Sequence, residues 1–273
     1  MEQQIVNNPG LLELSTGKLE VVRRQLRLDK ERRQDLLLKA SNDDTYYSVE
    51  LMLGDLNSSH LVRAIDYWLR NRAASDDKDW DHIPVIVAER IGDTGVRRVA
   101  KWLSEVSPLV AIELRAIRVK GRLAVQPFKV FDGRDAQEEL DLSQPQQELG
   151  RDYWIKKSSE RTVKLAEEMG AMLPLIDPKL HLSYKGGFLG VTAQNRPANF
   201  VTFNPKKNFV RARARIAEAE LWAKKLKRAG FDILRVSSGR SVQFRLPDEP
   251  SRKQRGLLKE LFQRAYEQRF LEA

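Results

Sequence analysis

Two acidic residues on neighbouring predicted strands are the best candidates for chemistry in this sequence. Asp35 lies in the segment Gln34–Lys39 and Glu50 lies in the segment Thr45–Leu53, with a polar turn between the segments. Side chains two residues apart share a face of a strand, so Glu50 shares its face with Met52. If the two segments pair as a hairpin, the carboxylates of Asp35 and Glu50 converge. Two hard oxygen ligands together with water then suit Mg²⁺ or Mn²⁺.

A cation at this position would support the hydrolysis of phosphate esters. A divalent ion can activate a water molecule and neutralise charge on a phosphate group during in-line attack. The alternative is a core without catalysis, because a buried carboxylate needs either a cation or a charged partner. In that case nearby arginines neutralise Asp35 and Glu50, and the candidates are Arg32, Arg33 and Arg63.

The order of the motifs around these residues resembles the PD-(D/E)XK nuclease superfamily. After Asp35 and the hairpin come VELMLG at 49–54, SH at 59–60, IDYW at 65–68 and VIVAE at 85–89. The similarity covers residues 10–131. It is strongest to bacterial members in which a VExxLG strand precedes a helix containing SH and YW.

This resemblance implies a restriction-endonuclease-like α/β/α fold and a metal-dependent deoxyribonuclease activity. By matching position, Asp35 and Glu50 are the metal ligands, and Glu13 is an additional carboxylate on the N-terminal helical segment. Met52 occupies the position of the family's lysine, which orients the attacking water and stabilises the charged transition state. A thioether can do neither, so Lys39, on the same face as Asp35, is the candidate replacement. Gln34 is a weaker one, because its side chain points the other way.

Histidines add little to this interpretation. His60 lies near the N-terminus of the helix that follows Glu50 and could position water or contact a phosphate, although a capping or packing role is favoured. The other two histidines, His82 and His181, are too far along the chain to give metal-ligand spacing.

Charge divides the chain into two domains. The chain has 273 residues, 41% of them hydrophobic, which is enough for two cores. Lys and Arg number 21 against 20 Asp and Glu in residues 1–133, 2 against 6 in residues 134–152, and 25 against 12 in residues 153–273. The acidic, Gln-rich segment 134–152 predicts a linker. The basic domain 153–273 favours binding to a polyanion such as DNA.

A ladder of arginines is the sharpest feature of the basic domain. In the predicted strand Phe209–Ile216, every second residue is arginine, so the guanidinium groups share a face about 6–7 Å apart. The nucleic-acid-binding candidates are Lys206, Lys207, Arg211, Arg213 and Arg215, and the next helix adds Lys224, Lys225, Lys227 and Arg228. Such a ladder can follow a phosphate backbone with little base specificity. Alternatively, Glu218 and Glu220 pair with it.

Strands interrupted by helices predict an α/β N-terminal domain followed by a smaller α+β domain. The N-terminal strands are Leu19–Leu28, Gln34–Lys39, Thr45–Leu53, Ile83–Ala88, Leu109–Val119 and Arg122–Phe131, with helices at Ser58–Arg72 and Val96–Leu103. The C-terminal helices are Ser159–Met172, Glu218–Ala229 and Ser251–Phe270, and the last strands, Ile233–Ser237 and Ser241–Leu246, form a hairpin.

Three functions remain open at this point. The first is a DNA-binding protein with a Mg²⁺-dependent endonuclease-like domain, and the second is an inactive nuclease-fold module for DNA binding or assembly. The third is a protein-interaction subunit that uses Trp68 or Trp222. The chain has no cysteine, which excludes disulfides and thiol catalysis. We expect a cytoplasmic protein without a secretion signal or membrane helix, with a second copy or a defence- or repair-complex protein as further partners.

Overall fold

A computed structural model describes residues 1–27, 33–43, 45–74, 81–92, 94–119, 122–134, 149–194, 196–237 and 239–271. The chain divides into two units, Met1–Leu140 and Asp141–Ala273. The boundary falls within the predicted linker 134–152, of which residues 135–148 lie outside the described part. Near the end of that segment, Arg151 already begins a helix.

The N-terminal unit is built on a mixed sheet of six strands. Its helices are α1 (Glu2–Asn7), α2 (Ser58–Ala74) and α3 (Gly95–Val106), with a 3₁₀ turn at Pro9–Leu12. Its strands are β1 (Leu19–Arg27), β2 (Arg33–Ala40), β3 (Thr45–Asp55), β4 (Asp81–Arg90), β5 (Val110–Val119) and β6 (Arg122–Asp132), in that order across the sheet. Strands β3, β4 and β5 are mutually parallel, and the other neighbours are antiparallel. The predicted α/β class is confirmed for this unit.

Alternation along the strands separates two apolar layers, one on each face of this sheet. One layer contains Leu36, Leu38, Tyr47, Val49, Val85 and Val87 and is covered by Ile5, Leu12 and Leu14 of the N-terminal segment. The other layer contains Met52, Ile86, Ala88 and Ala111 and is covered by Leu61 and Ala64 of α2 and Ala100 of α3. Residues 82–88 of β4 are all buried, as expected of a central strand with a parallel neighbour on each side.

Strand alternation predicts that Tyr47, Val49, Leu51 and Leu53 form a core stripe along β3, but the end of the strand departs from it. Leu53 is 72% exposed, so this part of the prediction is wrong. The pairing with β4 is irregular between Met52 and Asp55, and Gly54 has a φ of 80°, a conformation that glycine adopts without strain. The bulge turns the end of the strand out of the packed layer.

The C-terminal unit is an antiparallel sheet with helices packed against one face. Its helices are α4 (Arg151–Lys157), α5 (Glu160–Gly170), α6 (Ala219–Arg228) and α7 (Arg252–Phe270), with a 3₁₀ turn at Leu173–Leu175. Its strands are β7 (Leu180–Tyr184), β8 (Leu189–Ala193), β9 (Arg196–Pro197), β10 (Val201–Pro205), β11 (Val210–Arg215), β12 (Asp232–Ser237) and β13 (Ser241–Leu246). The order is β12-β13-β11-β10-β8-β7, and β9 pairs with β8. One apolar core joins the sheet to residues of α4, α5, α6 and α7.

Candidate metal centre and nucleic-acid interface

The hairpin formed by β2 and β3 brings the two predicted carboxylates together. Leu36 pairs with Val49 across the hairpin, so the preceding residue, Asp35, lies beside Glu50. Because Leu36 and Val49 point into the layer under the N-terminal segment, Asp35 and Glu50 point to the opposite face. The Oδ2 atom of Asp35 accepts a hydrogen bond from the Leu51 N–H at 2.8 Å. This bond fixes the carboxylate against the neighbouring strand.

Glu50 is buried and is paired with an arginine from α2. Its side chain is 2% exposed, and its Oε1 atom lies 2.6 Å from Nη2 of Arg63, whose side chain is 41% exposed. Among the residues that the structure describes, Glu50 Oε2 and Arg63 Nε have no hydrogen-bond partner. The pair is therefore joined through one atom of each group, and the second carboxylate oxygen remains unsatisfied in the protein interior.

Both carboxyl groups hold their protons more tightly than an exposed acid does. Burial raises the pKa of Glu50 to about 8, the charge of Asp35 adds to the rise, and Arg63 opposes it. Burial also raises the pKa of Asp35, against the hydrogen bond from Leu51 and the charge of Arg63. The Asp35 and Glu50 carboxylates repel each other and share one arginine, Arg63. Further positive charge at this position would therefore stabilise their ionised forms.

The titration of Glu50 predicts a pH-dependent stability. Its pKa is about 8 in the folded protein against 4.5 as the ordinary value. The stability that the neutral Glu50 side chain contributes to the fold is therefore fully present below pH 4.5 and is lost as the pH rises through about 8. Without divalent ions, we expect Glu50→Gln to raise the melting temperature by about 3–5 °C at pH 9 and to change it little at pH 5. Thermal unfolding followed by circular dichroism at both pH values measures the difference.

Glu113 provides a matched control for this prediction. Burial acts to raise its pKa, but the Ile91 N–H and Arg115 outweigh that effect, so the pKa is lowered. The stability from Glu113 is present above its ordinary pKa and is lost as the pH falls. Glu113→Gln is therefore expected to destabilise the protein at neutral and high pH. A Glu50→Gln variant that behaved in the same way would contradict the assignment of Glu50 as a strained carboxylate.

His60 lies on the same face of α2 as Arg63 and close to the carboxylates. The Asn57 Oδ1 atom accepts the His60 main-chain N–H at 3.1 Å and lies 2.9 Å from the imidazole Nδ1 atom. Asn57 is therefore the N-cap of the helix. Burial and the charge of Arg63 lower the pKa of His60, whereas Asp35 opposes them. The imidazole is held neutral at physiological pH beside the site.

Met52 belongs to the apolar layer under α2. It lies on the same face as Glu50, is 6% exposed and packs in a cluster with Leu56, Leu61 and Ala64. The side chain at the position matched to the lysine of PD-(D/E)XK nucleases therefore contributes to packing. It presents no charge to the carboxylates.

Lys39 does not replace the missing lysine. Its Nζ atom lies 5.3 Å from the centre of the Tyr46 ring, its neighbour across the hairpin. Lys39 lies four residues from Asp35 along β2, which separates their Cα atoms by about 13 Å. The contact with Tyr46 holds the ammonium group over the aromatic ring, so the prediction for Lys39 is wrong. Gln34 is also not aimed at the site, because it is buried and its Nε2 atom donates to the Leu36 carbonyl at 3.2 Å.

Glu13 lies on the opposite side of the sheet, so its prediction as an additional carboxylate is wrong. Its neighbour Leu14 packs under the N-terminal segment, where the Leu14 carbonyl accepts a hydrogen bond from the Tyr47 hydroxyl at 3.0 Å. Glu13 itself is exposed. Glu2 is the N-terminal carboxylate whose charge raises the pKa of Asp35. An acidic residue in the first turn of a helix was the only sequence signal for it.

The arginines proposed to neutralise the carboxylates have different outcomes. Arg32 lies outside the described residues. Arg63 does contact Glu50. Its position three residues after His60 on one helix face was the available signal, but only the packing of α2 on the sheet showed the contact.

The residues present fit a divalent cation with water completing its coordination. The two carboxylates supply hard oxygen ligands, and Glu50 Oε2 is a buried acceptor with no hydrogen-bond partner among the described residues. Within those residues, no three His, Asp or Glu side chains are grouped closely enough to hold a metal ion together. The site is therefore a two-carboxylate site with an arginine beside it.

The arginine ladder is present on β11, but much of it is buried. Arg213 is 7% exposed and donates from Nε to the Ser241 hydroxyl at 3.2 Å, and Lys206 is 4% exposed. Arg211 and Arg215 are half-buried. Arg213 is enclosed because it lies between Thr202 of β10 and Gln243 of β13, which are both buried polar residues. The prediction of a ladder open to a phosphate backbone is wrong at Arg213 and Lys206.

Exposed basic residues lie on other elements of the C-terminal unit. Lys207 is exposed in the turn before β11, and Lys224, Lys227 and Arg228 are exposed on α6. The spacing of the three α6 residues places them on one face of the helix. Glu218, proposed as a partner of the ladder, pairs with Arg264 at 3.2 Å. Lys207 and these three residues of α6 therefore contribute solvent-facing positive charge.

The two tryptophans proposed for a protein interface are core residues. Trp68 is 8% exposed and donates from Nε1 to the His82 carbonyl at 2.6 Å, and Trp222 is 4% exposed. Neither ring presents a surface to a partner.

No family model, curated protein or solved structure matches this chain. Across the described part of the chain, no helix combines the length and apolar character needed to span a membrane.

Proposed function

We propose that the protein is a divalent-cation-dependent phosphodiester hydrolase that acts on DNA. In this proposal the N-terminal unit has a restriction-endonuclease-like fold and the C-terminal unit binds the nucleic acid. The observation that carries the proposal is the convergence of Asp35 and Glu50 on one sheet face, with a buried Glu50 oxygen that no described residue satisfies.

The electrostatics of the pair support a cation at this position. Burial raises the pKa of both Asp35 and Glu50, and the negative charge of Asp35 raises the pKa of Glu50 further. Mg²⁺ or Mn²⁺ held by these two carboxylates would supply a polarised water and neutralise charge on the phosphate. The hydrogen bond from the Leu51 N–H keeps Asp35 in one orientation, as a ligand position requires.

Arg63 supplies the positive charge that Met52 lacks. Its guanidinium group contacts Glu50 at 2.6 Å and its side chain is 41% exposed, so it reaches from the carboxylate towards solvent. A guanidinium group can bind phosphate oxygens in a bidentate manner and stays charged at all physiological pH values. Arg63 is thus suited to stabilise charge that develops on a phosphate beside the carboxylates.

The test combines metal binding with DNA cleavage. We expect the full chain to bind Mn²⁺ in isothermal titration calorimetry and to cleave plasmid DNA in Mg²⁺ or Mn²⁺ but not in EDTA. Binding without cleavage would leave a metal-binding module and contradict the hydrolase. Absence of both would contradict the metal site as well.

DNA binding is tested in the same preparation. We expect affinity in Ca²⁺ or EDTA to fall steeply as salt rises, because bound lysines and arginines release counterions from DNA. Replacing Lys224, Lys227 and Arg228 with glutamate should weaken binding and flatten the salt dependence. An unchanged affinity for DNA would show that α6 is not part of the DNA-binding surface.

A second candidate function is an inactive nuclease-fold module that binds DNA. The specific observations in its favour are that Met52 is packed in an apolar layer and that Arg63 already pairs with Glu50. In this version the arginine takes the place of the cation. The two functions predict different effects of removing Arg63: loss of cleavage for the hydrolase, and no cleavage with or without Arg63 for the inactive module.

A further inference from the structure

Helix α3 carries an apolar stripe on its solvent-facing side. Val99, Trp102 and Val106 are 51%, 59% and 46% exposed, whereas Ala100 and Ser104 are buried on the inner side. These exposed residues recur at spacings of three and four, so they form one stripe. Exposed tryptophan is unusual in this setting, because large aromatic side chains concentrate at protein interfaces.

Charged residues border the stripe on one side. With about 100° of rotation per residue, Val99 and Val106 lie on one side of Trp102, and Arg98 and Glu105 lie on the other. Both Arg98 and Glu105 are exposed. The basic residue is in the N-terminal half of the helix and the acidic residue is in the C-terminal half.

This arrangement is complementary to itself when two copies of the helix pair in opposite directions. A two-fold axis at Trp102, normal to the plane of the two helices, places the two Trp102 rings together. Val99 lies three residues before Trp102 and Val106 lies four after it, so each Val99 faces Val106 of the other copy at nearly equal height. By the same symmetry, each Arg98 faces Glu105 of the other copy.

We propose that α3 forms a two-fold interface with α3 of a second copy of this chain. The centre of the interface is apolar, and two ion pairs border it, which sets the direction of pairing. A contact between two three-turn helices is smaller than a standard interface of about 800 Å² per partner. The dimer is therefore weak, with a dissociation constant on the order of micromolar.

Analytical ultracentrifugation over a range of concentrations tests this interface. We expect the wild type to pass from monomer to dimer, and we expect Trp102→Asp to remain monomeric at every concentration. Val62→Asp is the matched control, because Val62 is 66% exposed on α2 and lies outside the stripe. Circular dichroism confirms that each variant is folded. A monomeric wild type, or a dimer that survives Trp102→Asp, overturns the proposal.

Charge exchange tests the direction of pairing. Arg98→Glu and Glu105→Arg each place like charges opposite each other twice, and each should weaken dimerisation about tenfold. The double variant restores both pairs and should recover an affinity within about threefold of the wild type. Single variants without effect, or a double variant without recovery, overturn the antiparallel arrangement. A heterologous protein or DNA bound at α3 would show no such recovery in the purified chain.

Discussion

Glu50→Gln is expected to reduce divalent-dependent cleavage of DNA at least about 100-fold. The substitution keeps the shape of the side chain but removes one of two anionic ligands, and a metal ion contributes several kcal/mol to stabilising charge in the transition state. Asp35→Asn should have a similar effect, because it removes the other ligand. Plasmid cleavage at a fixed Mg²⁺ or Mn²⁺ concentration measures the loss, and calorimetry with Mn²⁺ shows whether the ion still binds.

Lys39→Ala is the control for loss of a polar side chain from the same sheet face. Lys39 stacks over Tyr46, away from the carboxylates, so we expect its cleavage rate to stay within about twofold of the wild type. Normal cleavage by both Glu50→Gln and Asp35→Asn would exclude the carboxylate pair. A loss of cleavage activity in Lys39→Ala equal to that in Glu50→Gln would show that Lys39 is part of the site.

Arg63→Ala is expected to reduce cleavage about 100-fold, the size of effect seen when one preorganised electrostatic donor is removed. The contact with Glu50 at 2.6 Å also lowers the pKa of Glu50, so the variant should shift the pH–rate profile to higher pH. Arg63→Lys keeps the charge without the planar fork and should retain part of the rate. Rates measured from pH 6 to pH 10 distinguish a change in titration from a loss of folded protein.

Arg70→Ala is the matched control, since Arg70 lies on the same helix and pairs with Asp66 at 3.0 Å. We expect it to change neither the rate nor the profile. The inactive-module alternative predicts no cleavage either before or after the Arg63→Ala substitution. If Arg63 stands in place of a cation, its removal frees Glu50, and Mn²⁺ binding should tighten in the variant. Tighter Mn²⁺ binding with no cleavage in either protein would decide for that alternative.

The sequence predicted the carboxylate pair because the information for it is local. Buried Leu36 and Val49 determine which face of the hairpin Asp35 and Glu50 occupy, and a hairpin brings the two strands together without the rest of the fold. The same pattern predicted the strands of the sheet and most of its helices. Periodicity and turn residues carry this information over short distances.

The partners of the pair could not be predicted in the same way. The contact between Arg63 and Glu50 depends on how α2 packs on the sheet, and Lys39 is held by Tyr46 on the next strand. The burial of Arg213 depends on β10 and β13 together, and β13 is paired with β11 in the fold but distant from it in sequence. The residue that a side chain contacts is determined by tertiary structure, whereas the face of the strand on which the side chain lies is determined by secondary structure.

The hydrogen bond from the Leu51 N–H to Asp35 connects the site to the main chain of the sheet. Its strength depends on whether the carboxylate is ionised, because a charged acceptor forms a stronger bond than a neutral one. Protonation of Asp35, or binding of its carboxylate to another group, must therefore change the strength of the hydrogen bond that the Leu51 amide donates. That single proton is an intrinsic reporter, since its chemical shift and its rate of exchange with solvent follow the state of the carboxylate pair.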